Sequence, residues 1–343
     1  MINKVQKKPF FIAEISANHC GSILIAKKLI KCAKVNGADA VKLQTYTADT
    51  MTIKSSSEIF KIKTGLWKNY TLWDLYNEAH TPLKWHKELF YYAKKIGIKI
   101  FSTPFDETSV DFLEKLNCPL YKVSSFEMTD LPLIEKIAKT KKPIIISTGM
   151  ASIDEIEETF VVAKKYGSGD ITLLYCVSNY PSKNSDFNLN NINILKNKFD
   201  CKVGLSDHSK DIEIAKAAIA SGAEVIEKHI AYENQTKGLD VEFSLKGKEI
   251  RLFRKAIDDT YSLLGKKYFY RSKEEQKNKI YRRSIFAVKN IKEGEKLTNT
   301  NIKRIRPGNG IEPKYYNTIL GKKSPFNIKA GSPIKKNLLL KLK

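Results

Sequence analysis

The chain is predicted to be an α/β protein, a (β/α)8 barrel followed by a small C-terminal domain. Three observations predict this. Over the first roughly 260 residues, eight apolar runs alternate with stretches of helical spacing, the pattern of a barrel of that kind. Polar residues stand just past these runs: Glu14, Lys42, Thr103, Lys122, Ser147, His208 and His229. After Gly265 the alternation stops and the composition shifts. A doubly wound open sheet is the alternative, but no Gly-x-Gly-x-x-Gly follows the first strand. In a barrel the strand-end residues converge on the C-terminal face, where active sites lie.

The elements follow in order. Pro9 to Ile15 is a continuous apolar run ending in Glu14, as in a strand buried on both faces. Ser22 to Asn36 has apolar residues at Leu24, Ile25, Leu29, Ile30 and Ala33, and stops at Gly37, so it reads as a helix. A second strand from Ala38 carries Lys42 and Gln44. Thr45 to His80 is a long insertion with aromatic residues and no clean period, expected as a lid or loop over a site. Pro82 to Gly97 is a helix with Pro near its start and Gly at its end. Strands ending in Ser102-Thr103 and Lys122, with a helix through Phe112 to Leu116 between them, come next. A helix over Leu131 to Lys139 and a strand ending at Ser147 follow. Ser152 and Glu155 form a capping box before another helix. The sixth strand, Ile171 to Tyr175, leads into a long Asn-rich loop expected to run through Asn193. The two histidine strands are seventh and eighth, and a last helix spans about Glu249 to Leu264. The catalytic domain is expected over 1–265, a charged linker over 266–283, and a small domain with β-like runs over 284–343.

A chain of 343 residues with 42% hydrophobic content can bury a large core. No apolar run approaches the roughly 20 residues that span a bilayer. Residues 1–8 run straight into the first strand without a signal-peptide pattern, and a cytoplasmic location is expected. The five cysteines are scattered without a Cys-x-x-Cys, which argues against a disulfide framework and a zinc–thiolate site. The net charge of +23 invites a nucleic-acid partner, but the lysines are spread along the whole chain with no basic arm. No nucleic acid and no membrane is expected; an anionic small substrate would still profit from the positive field.

His208 and His229 stand at matching strand ends. Two imidazoles with open positions for water and substrate oxygens fit a Lewis-acid metal site, and the competing reading is a pair of polar core histidines. His19, His80 and His86 have weaker claims, with His80 and His86 expected at the surface. Lys42 and Lys122 suit a phosphate or carboxylate, with Ser125, Ser147, Thr148 and Ser206 as hydrogen-bond donors. A Schiff-base lysine is the alternative. Glu14 and Glu127 are carboxylates that orient a hydroxyl or act as general acid or base, or that simply pair with Lys42 or Lys122. Arg306, in the turn-rich Arg306-Pro307-Gly308-Asn309-Gly310, is displayed to reach a carboxylate or amide.

Taken together, the motifs resemble the sialic acid synthase family. The matching stretches are Ala13-Glu14-Ile15-Ser16-Ala17-Asn18-His19, Lys42-Leu43-Gln44-Thr45, Ser102-Thr103-Pro104-Phe105, Lys122-Val123-Ser124-Ser125-Phe126-Glu127, Ser147-Thr148-Gly149-Met150, Gly204-Leu205-Ser206-Asp207-His208 and Glu227-Lys228-His229. The stretch around Arg306 resembles the antifreeze-like (SAF) domain of those enzymes. The resemblance implies condensation of phosphoenolpyruvate with an open-chain N-acyl amino sugar, giving a nine-carbon 2-keto acid and phosphate. It implies a divalent metal, usually Mn2+ with Mg2+ or Co2+ as alternatives, on His208 and His229. It further implies a phosphoenolpyruvate pocket of Lys42, Lys122, Ser125, Ser147 and Ser206 with Thr103 near the phosphate. Glu14, Gln44, Tyr180 and Asp240 fall on the sugar side, and Glu127 falls near the reacting carbons. Arg306 is implied to enter the barrel of the other subunit in a domain-swapped homodimer. Ser16-Ala17-Asn18-His19, Gly65-Leu66-Trp67 and Ser178-Asn179-Tyr180-Pro181 depart from the sialic pattern and resemble the branch that takes a 6-deoxy-2,4-diacetamido sugar. Rival readings are a synthase for a sialic or legionaminic acid, a metal-dependent pyruvate aldolase, and a non-catalytic sugar-binding protein.

Overall fold

The computed structural model describes residues 8–266 and 268–342. The first seven residues, on which part of the signal-peptide reading rests, lie outside them. The chain divides into two compact units, Met1–Gly265 and Lys266–Lys343.

The first unit is a closed parallel barrel. Its strands are β1 (Phe10–Glu14), β2 (Ala40–Thr45), β3 (Lys99–Pro104), β4 (Tyr121–Val123), β5 (Ile144–Ser147), β6 (Ile171–Cys176), β7 (Lys202–Asp207) and β8 (Val225–Ala231). Each pairs in parallel with the next, and β1 pairs with β8 to close the ring. A two-residue strand, β9 (Leu245–Lys246), adds to β8. The helices are α1 (Ile23–Val35), α2 (Ala48–Met51), α3 (Leu72–Ala79), α4 (Leu83–Ile96), α5 (Glu107–Lys115), α6 (Leu131–Ala138), α7 (Ile153–Lys165), α8 (Asn190–Phe199), α9 (Ile212–Ala220) and α10 (Lys248–Leu264). Strands such as β5 and β6 are buried on both faces, which is why their sequences are apolar without alternation. Among the described residues no helix is long and apolar enough to cross a membrane.

Local signals set the boundaries. The Ser22 side chain accepts from the Ile25 amide to start α1. Ser152 and Glu155 close the reciprocal box that starts α7. Gly97, at φ 72°, ends α4 in the left-handed conformation. Gly204 is needed for a different reason. A Cβ there would run into the Val225 carbonyl and lie 2.7 Å from a Leu174 methyl. Only glycine lets β7 and β8 approach at that level.

Three expectations need correction. The Asn-rich loop ends before Asn193, because Ile192, Leu195 and Phe199 are spaced to bury one face of α8. The insertion after β2 is not featureless; it holds α2, α3 and a small antiparallel hairpin joined at Lys61 and Thr71. His86 is fully buried rather than at the surface, with Nε2 2.8 Å from Thr45 Oγ1 and the ring edge-on to Phe112.

The second unit pairs β10 (Ser284–Ala287) with β11 (Ile302–Ile305) in antiparallel register. Its short helices are α11 (Lys273–Lys277), α12 (Tyr316–Ile319) and α13 (Lys336–Lys341). Ile285, Ile302, Ile319, Ile334 and Leu338 belong to its own apolar core. Turns at Gly294 (φ 80°) and Gly331 (φ 82°) are left-handed. The segment 266–283, expected as a linker, carries α11, and its Ile280 carbonyl accepts from the Gly308 amide at 2.6 Å.

Candidate active site

Strand register assembles the site. Glu14 on β1 lies opposite Lys42 on β2 and opposite His229 on β8. Ser206 on β7 lies opposite Glu227 on β8. Because side chains alternate along a strand, Ser206 and His208 share one face with Glu227 and His229. These four line a cavity of about 410 Å³, together with Lys42, Gln44, Lys122, Ser125, Glu127, Ser147, Tyr180 and Asp240.

The floor is ionic. Lys42 Nζ pairs with Glu14, lies 3.3 Å from Glu227 Oε1, and donates to Thr103 Oγ1 at 3.2 Å. Lys122 Nζ donates to Ser147 Oγ at 2.6 Å and lies 3.8 Å from the same Glu227 oxygen. Ser206 Oγ donates to that oxygen at 3.2 Å. Glu227 therefore sits between two lysines and a serine, where an incoming anion would compete for the same donors. Burial lowers the Lys122 ammonium to about 8, with Glu227 opposing the shift and Lys42 adding to it. Burial would also lower Lys42, but Glu14 and Glu227 outweigh it and hold that ammonium charged.

The two histidines stand side by side, ring centroids 5.3 Å apart. His208 Nδ1 lies 3.2 Å from the Val177 carbonyl. A carbonyl only accepts, so Nδ1 carries a proton; burial opposes the charged ring, but Cys176 and this carbonyl outweigh it and raise the imidazolium above its ordinary value. His229 is held neutral, mainly by burial and then by His208, and its buried Nδ1 has no hydrogen-bond partner. Two imidazoles at matching strand ends, His208 with Nδ1 turned to a carbonyl and His229 neutral with an orphaned nitrogen, fit a divalent metal that displaces the second His208 proton. Among the described residues no set of three or more His, Cys, Asp or Glu side chains gathers as a fuller cage. A metal here would take its other ligands from water and substrate.

Asp207 and Lys228 fill the opposite face of the same strands. Asp207 Oδ2 faces Lys228 Nζ at 2.9 Å, with both side chains at most 2% exposed. Asp207 Oδ1 accepts from the Ser209 amide at 2.8 Å, and Lys228 donates to the Ser209 carbonyl. This pair braces the strand ends that present His208 and His229.

Of the residues expected to face a sugar, Gln44 donates from Nε2 to Ser16 Oγ at 3.0 Å. Asp240 accepts from the Ala17 amide at 3.5 Å and lies 3.7 Å from His229 Nδ1. The Tyr180 ring is 4.4 Å from that of His208. Ser125 Oγ accepts from the Gly149 amide at 3.0 Å. Glu127 accepts from Ser124, and burial pushes its carboxyl up to about 7, with Lys122 opposing.

Two expected residues stand behind the cavity wall rather than on it. Glu14 is fully buried, paired with Lys42 and accepting from the Ser16 amide at 2.7 Å. Thr103 is buried against the same lysine. Arg306 belongs to the second unit, where it is exposed just after β11, whereas the cavity's lining residues all belong to the first. Sequence reasoning assigned no role to Glu227. Its place two residues before His229, on the same face of β8, is the signal that could have found it.

Comparison with known proteins gives two family matches: the NeuB family over residues 29–268 and the SAF domain over residues 282–340. The chain is 43% identical over 329 residues to pseudaminic acid synthase of Campylobacter jejuni subsp. jejuni serotype O:2, covering 96% of each. It is 42% identical over 327 residues to pseudaminic acid synthase of Helicobacter pylori, covering 95% of this chain and 96% of that protein. It is 41% identical over 327 residues to N,N'-diacetyllegionaminic acid synthase of the same Campylobacter strain, covering 94% and 98%. Among solved structures it resembles N-acetylneuraminic acid synthetase of Leptospira borgpetersenii in complex with citrate, at TM-score 0.72 and 30% identity, covering 81% of this chain and 94% of that one.

Proposed function

The chain belongs to the NeuB family, and from that premise we infer that it makes pseudaminic acid, condensing phosphoenolpyruvate with 2,4-diacetamido-2,4,6-trideoxy-L-altrose and releasing phosphate. The observation that carries this reading is near-full-length similarity to pseudaminic acid synthases, joined to a floor with two buried lysines beside two adjacent histidines.

The chemistry asked of the residues is modest. Lys42 and Lys122 hold the anionic ends of phosphoenolpyruvate and balance the phosphate as it leaves. Ser125, Ser147 and Ser206 supply hydrogen bonds to the same anions. The enol carbon attacks the sugar aldehyde, water adds at the neighbouring carbon, and the tetrahedral intermediate expels phosphate. Glu127, held near neutrality in its protonation, is suited to move a proton at that carbon. Gln44, Tyr180 and Asp240 orient the sugar. His208 and His229 would hold a divalent metal, Mn2+ first and Mg2+ or Co2+ as alternatives, which supplies Lewis-acid polarisation of the aldehyde oxygen. The adjacent rings and the neutral His229, with its orphaned nitrogen, support that ligand pair.

We extend the reading to the second unit as a proposal. The SAF-domain match spans Arg306, and we propose that this residue acts in trans within a domain-swapped homodimer in the cytoplasm. A compact monomer with full activity in sedimentation would refute it.

The deciding experiment compares 2,4-diacetamido-2,4,6-trideoxy-L-altrose with N-acetylmannosamine and the legionaminic precursor, scored by phosphate release from phosphoenolpyruvate. Greater kcat/KM on either rival sugar would overturn the choice of sugar. Condensation of pyruvate without phosphate release would overturn the reaction class.

A further inference from the structure

The cavity is chemically divided. Its floor is ionic, as described. Its roof is apolar and comes from the insertion between β2 and α4: Met51, Ile62, Trp67, Leu72, Leu75 and Tyr76 line it. The roof is a built structure. Lys61 bridges Thr71 in antiparallel fashion, the Ile62 amide donates to the Tyr70 carbonyl at 2.9 Å, and the Asn69 amide donates to the Ile62 carbonyl at 3.1 Å. Gly65, at φ 82°, turns the hairpin. Trp67 fastens its tip to the far wall: Nε1 donates to the Leu239 carbonyl at 3.1 Å, and the ring lies 5.4 Å from that of Tyr180. Yet Met51, Ile62, Trp67 and Leu72 are only partly buried, so apolar surface is left facing the cavity.

We propose that this hairpin roof, through Ile62 and Leu72 beside Trp67, is the specificity element that reads the methyl group at C6 of the sugar. The proposal rests on the function inferred above. The aldehyde end must lie at the lysine and histidine floor to react, so C6, at the opposite end of the chain, is the part that reaches the roof. A methyl there covers apolar side chains. A hydroxymethyl would bring a hydroxyl to Ile62 and Leu72 side chains, which offer it no hydrogen bond. An apolar pocket discriminates against one added hydroxyl by up to about 100-fold, which bounds the expected effect.

The test measures kcat/KM for 2,4-diacetamido-2,4,6-trideoxy-L-altrose and for its counterpart bearing a hydroxyl at C6. The native protein is compared with Ile62→Thr and Leu72→Asn. The native protein is expected to prefer the 6-deoxy sugar by roughly 10- to 100-fold. Both variants should compress that preference to a few-fold, while the KM for phosphoenolpyruvate stays unchanged. Ile62→Thr keeps a β-branched residue, and the pairing of the hairpin uses backbone atoms, so this variant guards against loss of the fold. An undiminished preference in Ile62→Thr would overturn the proposal. So would an equal loss on both sugars. Failure of the native protein to use either diacetamido sugar would instead overturn the inferred function, whatever the variants do.

Discussion

Asp207→Asn tests whether the back of the strand pair supports the front. Asp207 and Lys228 are an ion pair at 2.9 Å, with side chains 0% and 2% exposed. Removing one partner leaves a charge without water, and such changes cost about 3–5 kcal/mol in buried sites. Asparagine keeps an oxygen for the Ser209 amide, and Lys228 keeps its bond to the Ser209 carbonyl, so the lower end, about 3 kcal/mol, applies. For a unit of this size each kcal/mol lowers Tm by about 2–4 °C, giving a fall of about 6–12 °C by thermal unfolding. The companion variant Asp207→Asn with Lys228→Met leaves no unpaired charge and should recover part of that loss, the remainder reflecting the Ser209 carbonyl that loses its donor. The refuting result is a Tm within about 2 °C of native for Asp207→Asn, or no recovery in the double variant.

Other outcomes follow from the cavity. His208→Ala and His229→Ala should each abolish turnover and each lose binding of Mn2+ measured by calorimetry; full activity of either in chelator-treated buffer would refute the metal site. Glu127 and Lys122 set a pH window. The Glu127 carboxyl, raised to about 7 chiefly by burial, is surrounded by Lys122, Asp130 and Tyr76, and ionises as pH rises through about 7. Its raised value means its contribution to stability is complete below the unfolded value of 4.5 and is lost as pH rises through about 7. Lys122, lowered to about 8, loses charge above that. The kcat/KM for phosphoenolpyruvate should therefore rise through about 7 and fall through about 8. Glu127→Gln should lower kcat by ~100-fold and remove the acid limb; an unchanged acid limb would refute its role.

The barrel was legible because its strands are buried on both faces. Ile144 to Ile146 are apolar without a gap and Ile171 to Tyr175 are broken only by Thr172, so each strand announces itself, and the polar residues beyond the runs mark the site. The helix α8 was hidden by Asn190, Asn191 and Asn193, which carry a turn signal although Ile192, Leu195 and Phe199 hold the helix down. The insertion was illegible for another reason. Leu72, Leu75, Tyr76 and Ala79 do stand at helical spacing, but over only the eight residues of α3, and Met51, Ile62 and Trp67 line the cavity from short elements and turns that show no period. In the site, matching positions at the ends of two apolar runs revealed the histidines. Burial of Glu14 and Thr103 behind Lys42, and the bridging position of Glu227, depend on which strands are neighbours across the closed ring. A linear pattern does not carry that information.

The division of the cavity into an ionic floor and a fastened apolar roof has one more consequence. Two different solvation problems are thereby kept apart in one cavity: charge is met by fixed charge at one set of walls, and apolar surface by the hairpin at another. The hairpin holds its place across the cavity through the Trp67 indole N–H on the Leu239 carbonyl, a bond made to backbone and so independent of the residue at 239.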